Sequence, residues 1–263
     1  MNILTKNNLI KSKKDYWEKE KYGDWFKNAK GKYTDKLEKQ SLAKMFDNTI
    51  YKEVIDIGIG NGRILPVYGK YCKKIIGVDI SSSLLSQAEE LAKENNINFQ
   101  TKVVDAENLP FPDKSFDLVI SSRMLQHAFN WKKCITEMHR VGQAEGTLVL
   151  SLYNAFSVYG LMRNTRVLRN KIIRFILRKK SSDYYGHFNN IFDLIKIIKQ
   201  HGMKIEKISG ACFFPIDTLP DWLVVKLPFI TKIGDFIEKL VDYFPFKYFG
   251  GRILIKAKII KNP

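Results

Sequence analysis

The stretch VIDIGIGNG, residues 54–62, runs from branched apolar residues into an aspartate and three glycines at alternate positions. Val54, Ile55 and Ile57 suit a strand covered on both faces, where the apolar pattern is continuous and does not alternate. Glycine is the residue for positive φ, and for places where a ligand must touch the main chain. Gly58, Gly60 and Gly62 directly after such a strand predict a loop that cradles a ligand, since a plain turn needs one or two glycines. A dinucleotide fingerprint, G-x-G-x-x-G, would need glycine at 63, where the chain has Arg63. The spacing G-x-G-x-G behind Asp56 fits a ligand without a pyrophosphate.

Outward from this loop the pattern is strand, helix, strand. Short apolar runs at 53–57, 74–78, 97–104, 116–121 and 147–152 alternate with helical stretches such as 82–95 and 131–141. Repeated βαβ units imply an α/β fold with a parallel sheet. In such sheets ligands bind outside the carboxyl ends of the strands. The second strand, IIGVDIS, ends in Asp79, about 20 residues past the glycines, where an acid can take two ribose hydroxyls. The third strand ends in Asp105, placed to meet an adenine amino group. Ser81 reads as the N-cap of the helix 82–95.

VIDIGIGNGRIL (54–65), GVDIS (77–81) and DAENLPFPDKSFDLVIS (105–121) together resemble the class I S-adenosylmethionine-dependent methyltransferases. The nearest branch is the one holding ubiquinone- and menaquinone-biosynthesis enzymes and many small-molecule methyltransferases. The resemblance covers residues 50–152, with family-like elements to 208 and a last strand at 251–260. It implies a Rossmann-like, doubly wound, mostly parallel seven-stranded sheet with an antiparallel last strand and a helical cap. It also implies S-adenosylmethionine as cofactor and S-adenosylhomocysteine as product. In that family Asp56 would shape the loop at the cofactor's amino-acid end, and Gly58, Gly60 and Gly62 would admit the backbone. Asp79 would hold the ribose, and Ile80 would pack on adenine. Asp105 and Ala106 would meet the adenine edge, and Ser121 would lie near the methionine part. The family's Pro-Gly-Gly turn before the fifth strand is replaced by RVGQAEGTLVLS (140–151).

A sulfonium is already a competent methyl donor, so the protein must mainly align an acceptor and exclude water. A base is required only for an acceptor atom that is protonated when it attacks. His127, in SSRMLQHAF just after the fourth strand, is the candidate. Arg123, Tyr153 and Asn154 are candidates to orient an acidic or hydroxylated acceptor. There is no N-P-P-Y tetrad, and the cysteines follow Tyr71, Lys133 and Ala211, not proline. Those features argue against adenine-amino and cytosine-C5 chemistry on DNA. A small-molecule or lipid-like acceptor is expected; the alternatives are an RNA (tRNA or rRNA) acceptor and a cofactor-binding protein without transferase activity.

Composition bounds the partners. With 45% hydrophobic residues in 263, the chain supports one large α/β domain with decorations. The expected organisation is an N-terminal helical lid (1–50), a cofactor-binding core (51–154), a helical cap with the sixth strand (155–250) and a final strand (251–263). The N-terminal residues read as helices without a strong core stripe. Within them DYWEKEKYGDWF (15–26) interleaves aromatics with charges, as expected of a flap over the cleft. The lysine-rich start does not read as a secretion signal. Cys72, Cys134 and Cys212 are too scattered for a zinc site or disulfide framework and suit a cytosolic protein; no metal is expected. The net charge of +17 points to an anionic partner, a membrane surface or a nucleic acid. Residues 161–180 carry eight basic residues, no acid and an apolar stripe, and predict a helix suited to an anionic membrane.

Overall fold

The computed structural model describes residues 15–18, 24–162, 190–216, 219–227 and 229–260. The basic stretch beyond Met162, on which the membrane-helix expectation rests, lies outside them. Among the described residues a seven-stranded sheet forms the centre. Its strands are β1 (Tyr51–Ile57), β2 (Cys72–Asp79), β3 (Phe99–Val103), β4 (Phe116–Ser122), β5 (Gly142–Tyr153), β6 (Met203–Ala211) and β7 (Arg252–Ile259). Their spatial order is 3-2-1-4-5-7-6, and β7 runs antiparallel to both its neighbours. The order reverses between β1 and β4, which is where doubly wound sheets open a ligand crevice.

Alternation along β1 sorts the two faces. Ile55 and Ile57 enter the layer covered by α3 (Trp131–Val141) and α4 (Ile191–Gln200). Val54 faces the layer of α1 (Ala29–Ala43) and α2 (Ser82–Glu94), and on this same side the Asp56 carboxylate meets Tyr68. Helix α2 is capped by Ser81, whose hydroxyl accepts from Leu84 N. Helix α3 spans the expected 131–141 and is capped by Asn130.

Two elements differ from the sequence reading. β5 begins at Gly142, five residues before the expected strand, because α3 passes into it without a turn. Gly142 pairs with Phe116, and a register shift then restores pairing at Leu118 and Thr147. A side chain at 142 would strike Ile259, so glycine permits this direct junction. The second difference is α1, which is built into the core: Tyr33, Leu37 and Leu42 are buried. Thr34, Glu38 and Ser41 are buried beside them, and this mixture hides the stripe in the sequence.

Beyond β6 the chain forms α5 (Asp221–Lys226) and α6 (Phe229–Glu238), which lie against α1. Lys30 Nζ donates to Leu219 O, Lys36 pairs with Asp235, and Gly234 lets α6 approach Tyr33.

Candidate active site

A cavity of about 850 Å³, counting its open mouth, sits over the carboxyl ends of β1, β2 and β4. Its floor is the β1 loop. Gly58, Gly60 and Gly62 all have positive φ, between +59° and +74°. They do not serve one purpose. Gly58 and Gly60 line the cavity. A Cβ on Gly58 would collide with Met124, so this glycine also makes room for a side chain of the opposite wall. Gly62 lies outside the lining, and a Cβ there would come within 3.0 Å of Ala88. Its role is to let the loop press on α2.

Asp79 lines the cavity at the end of β2. Its Oδ2 accepts from Gly60 N at 2.9 Å and its Oδ1 from Ser81 N at 3.0 Å. The carboxylate thus ties the glycine loop to the α2 N-terminus while facing the ligand space. Ile80, Asp105 and Ala106 continue the same wall, with Asp105 Oδ1 accepting from Glu107 N.

Asp56 is fully buried and also borders the cavity. Its Oδ2 accepts from Tyr68 Oη, whereas Oδ1 has no hydrogen-bond partner among the described residues. Burial pushes its carboxyl up to about 7 against the Tyr68 hydrogen bond, and the Asp79 charge adds to the rise. A buried acid with one uncommitted oxygen is costly unless something else meets it.

Ser121, the serine expected near the methionine part, is not among the residues lining the cavity. Ser121 is buried and donates to Ile57 O at 2.8 Å, so its hydroxyl is spent within the sheet; Ser122 faces the cavity instead. Asn154 is likewise structural. It is fully buried, and its Nδ2 donates to Tyr248 O at 2.7 Å and Gly250 O at 3.1 Å. It anchors the segment entering β7 and does not stand over the cleft. Tyr153 is the last residue of β5 and lies outside the cavity lining; the Arg252 guanidinium stacks on its ring at 3.7 Å.

Arg123 does reach the cavity, in a left-handed conformation with φ +56°. A non-glycine residue in that region is held there by its surroundings. Arg123 N donates to Ser151 O, and its Nη1 lies 3.1 Å from Tyr153 Oη and 3.3 Å from Glu38 Oε1. Glu38, from α1, also binds Arg63 and Arg252. Burial alone would push the Glu38 carboxyl up; the Arg123, Arg63 and Arg252 guanidiniums outweigh it and hold it at about 2. Arg63, the residue in place of the dinucleotide glycine, pairs with Asp35 as well, and Phe26 packs under its guanidinium at 4.3 Å. This ionic cluster, which positions two cavity-lining arginines, was not anticipated from sequence.

The remaining wall is aromatic. His127 lines the cavity, with Gln126 Nε2 at 3.3 Å from its Nε2. Trp17 stands edge-on to it, ring centroids 4.8 Å apart. The segment carrying Trp17 is fastened by Glu18, whose carboxylate accepts from Ser82 N at 2.8 Å and Ser83 N at 3.1 Å at the start of α2. Among the described residues no cluster of His, Cys, Asp and Glu is suited to a metal ion.

Residues 55–150 match the family model described as a methyltransferase domain. The protein MJ1252 of Methanocaldococcus jannaschii is 28% identical over 253 residues, 95% of this chain and 91% of that one. The ubiquinone biosynthesis O-methyltransferase of Coxiella burnetii is 24% identical over 169 residues, 63% of this chain and 69% of its own. Among solved structures, a SAM-dependent methyltransferase from Thermotoga maritima superposes with a TM-score of 0.64 at 17% identity, covering 94% of this chain and 99% of that one. Residues 55–150 thus carry a methyltransferase domain, and the mixed seven-stranded sheet built around it has the fold of a solved S-adenosylmethionine-dependent methyltransferase.

Proposed function

We propose that the protein transfers the methyl group of S-adenosylmethionine to a small-molecule or lipid-like acceptor bearing an acidic or hydroxylated group. The observation that carries this reading is the division of one cavity into two halves. One half, made by Asp56, the Gly58–Gly60 loop, Asp79 and Asp105, suits the cofactor. Asp56 Oδ1, buried and without a hydrogen-bond partner among the described residues, fits the cofactor's ammonium group. The Asp79 carboxylate at the cavity wall fits its ribose hydroxyls. The other half, made by Trp17, Met124, His127 and Arg123, is apolar with a few polar groups, which suits an organic acceptor.

When bound, the cofactor supplies an electrophilic methyl group on a positively charged sulfur. The chain's own task is to align the acceptor atom with that methyl and keep water out. Trp17 and Met124 exclude water. Arg123, fixed by Glu38 and Tyr153, orients an acidic or hydroxylated group. For an acceptor atom that loses a proton on methylation, a ring nitrogen of His127 takes it. The segment at 15–18 closes the cavity as part of an N-terminal flap, with Glu18 as its fastening. Kinship with an enzyme named for ubiquinone biosynthesis supports an acceptor of the lipid-like kind. The charge of +17 favours one other acceptor, an RNA.

Incubating the purified protein and labelled cofactor with fractionated extracts, then locating the label by mass spectrometry, tests the proposal. Label in a small organic or lipid fraction supports it. Label in RNA alone replaces it with the second acceptor.

A further inference from the structure

Helix α6 and the segment after it are apolar on two sides, one buried and one exposed. Ile230, Gly234 and Val241 are buried, with Gly234 against Tyr33 of α1. Phe229, Ile233, Phe236 and Leu240 recur at spacings of four, three and four, and all are exposed. That is a helical stripe turned to the outside. Trp222 and Val225 on α5 are exposed too, and Tyr243 and Phe244 follow at 67% and 80% exposure. Single exposed aromatics are ordinary; a run of this size marks a surface that meets something. The rings connect further. Phe244 lies 6.3 Å from Tyr248, Tyr248 6.1 Å from Phe192, and Phe192 5.9 Å from Phe156.

The charges of the same segment are sorted by sign. Asp235 is paired with Lys36 of α1, and Asp242 is engaged by Lys44 and Ser209. Glu238 accepts from Phe214 N at 2.9 Å. Each of these three carboxylates is thus engaged by a group of the protein body, Asp235 and Asp242 while still part-exposed. Lys226, Lys232 and Lys239 are exposed beside the apolar stripe. An outer face of aromatic rings and lysines, on which Asp235, Glu238 and Asp242 are already engaged, complements a surface that is apolar underneath and anionic at the top. No helix among the described residues is long and apolar enough to cross a membrane, so such a face lies on a bilayer and does not span it.

We propose that the outer face of α5, α6 and residues 240–249 docks on an anionic phospholipid membrane. The aromatic side chains enter the headgroup–acyl boundary and the lysines meet lipid phosphates. This face is joined to the sheet at the end of β5, where Asn154, one residue past the strand, holds Tyr248 and Gly250. The inference rests on surface residues and stands apart from the choice of methyl acceptor.

Flotation with phosphatidylcholine vesicles, with and without phosphatidylglycerol, tests it. The expected result is retention on the anionic vesicles, weakening with salt, and little on neutral ones. Phe236→Ser/Tyr243→Ser/Phe244→Ser and Lys232→Glu/Lys239→Glu should each keep cofactor affinity. The lysine variant should bind anionic vesicles about thirtyfold more weakly or worse, since each basic residue near such a surface contributes roughly the equivalent of a fivefold gain. Failure of the wild type to bind anionic vesicles, or equal binding to neutral ones, overturns the proposal. So does unchanged binding by either variant. Sedimentation showing a wild-type dimer that the aromatic variant converts to monomer would instead assign the face to a second copy of the chain. Should a variant unfold, the wild-type comparison of anionic and neutral vesicles still decides.

Discussion

Asp56 makes cofactor affinity depend on pH. In the ligand-free protein its carboxyl titrates at about 7, because it is buried, with only the Tyr68 hydrogen bond offsetting that cost. An ammonium group beside Oδ1 favours the ionised form, so binding must expel a proton whenever Asp56 starts protonated. At pH 7 about half of the molecules are ionised, and at pH 5.5 about one in thirty. If the bound-state titration falls well below 5.5, affinity drops about fifteenfold over that interval. The ligand's own amino group stays protonated throughout this window and adds no slope. Calorimetry with S-adenosylhomocysteine, which carries the same ammonium group, reads both affinity and released protons. Proton release should rise from about one half at pH 7 towards one at pH 5.5. Asp56→Asn should bind more weakly at pH 7 and show a flat profile. A flat profile in the wild type, or an unchanged slope in Asp56→Asn, refutes the reasoning. The sign for stability runs the other way. A carboxyl raised in the folded state costs stability as pH climbs from about 4 to about 7, so ligand-free Asp56→Asn should gain on the wild type at pH 8 and not at pH 4.

Asp79→Ala should lose cofactor affinity by about a hundredfold or more with its circular dichroism retained, since charge-assisted bonds contribute roughly 1.5–3 kcal/mol each and the Gly60 loop loses its tether as well. Glu38→Gln should destabilise the protein by about 3–5 kcal/mol in chemical denaturation, because it leaves the buried Arg123 and Arg252 and the part-buried Arg63 short of their shared acceptor. The Glu38 carboxyl is held at about 2, so its contribution is present above its unfolded value near 4.5 and lost as pH falls towards 2. For an acceptor that must lose a proton, His127→Asn should lower kcat by roughly 10²–10⁴-fold while cofactor affinity by calorimetry stays within about twofold.

The sheet and the loops that line the cavity were legible because they rest on local rules. β1 is continuous in apolar residues, and the acids that end β2 and follow β3, Asp79 and Asp105, both line the cavity. What escaped depended on partners distant in sequence. Glu38 reads as one more surface glutamate on a polar helix until Arg63, Arg123 and Arg252 come together around it. The choice between Ser121 and Ser122 is a matter of strand parity. Ser121 shares its side of β4 with Val119, and its hydroxyl is taken by Ile57 O. Asn154 has the composition of a ligand contact, yet its amide closes a backbone turn near residue 250. Gly62 shares its signature with the other glycines and differs only in meeting Ala88.

The position of β7 has a consequence for how the chain is made. This strand is synthesised after the other six, yet it lies between β5 and β6, so the sheet cannot close while the ribosome is still upstream of residue 252. Arg252 meets Glu38 across 214 residues, among the longest separations in the molecule. Until that late strand inserts, Glu38 has one fewer cation beside it, and Arg123 rests on an unfinished Tyr153 stack. A nascent or prematurely stopped chain can form the β1–β4 loops but not the rigid arginine wall. Completion of the Arg123 wall thus follows that of the glycine-loop wall, and stalled chains should accumulate with strand edges open to aggregation.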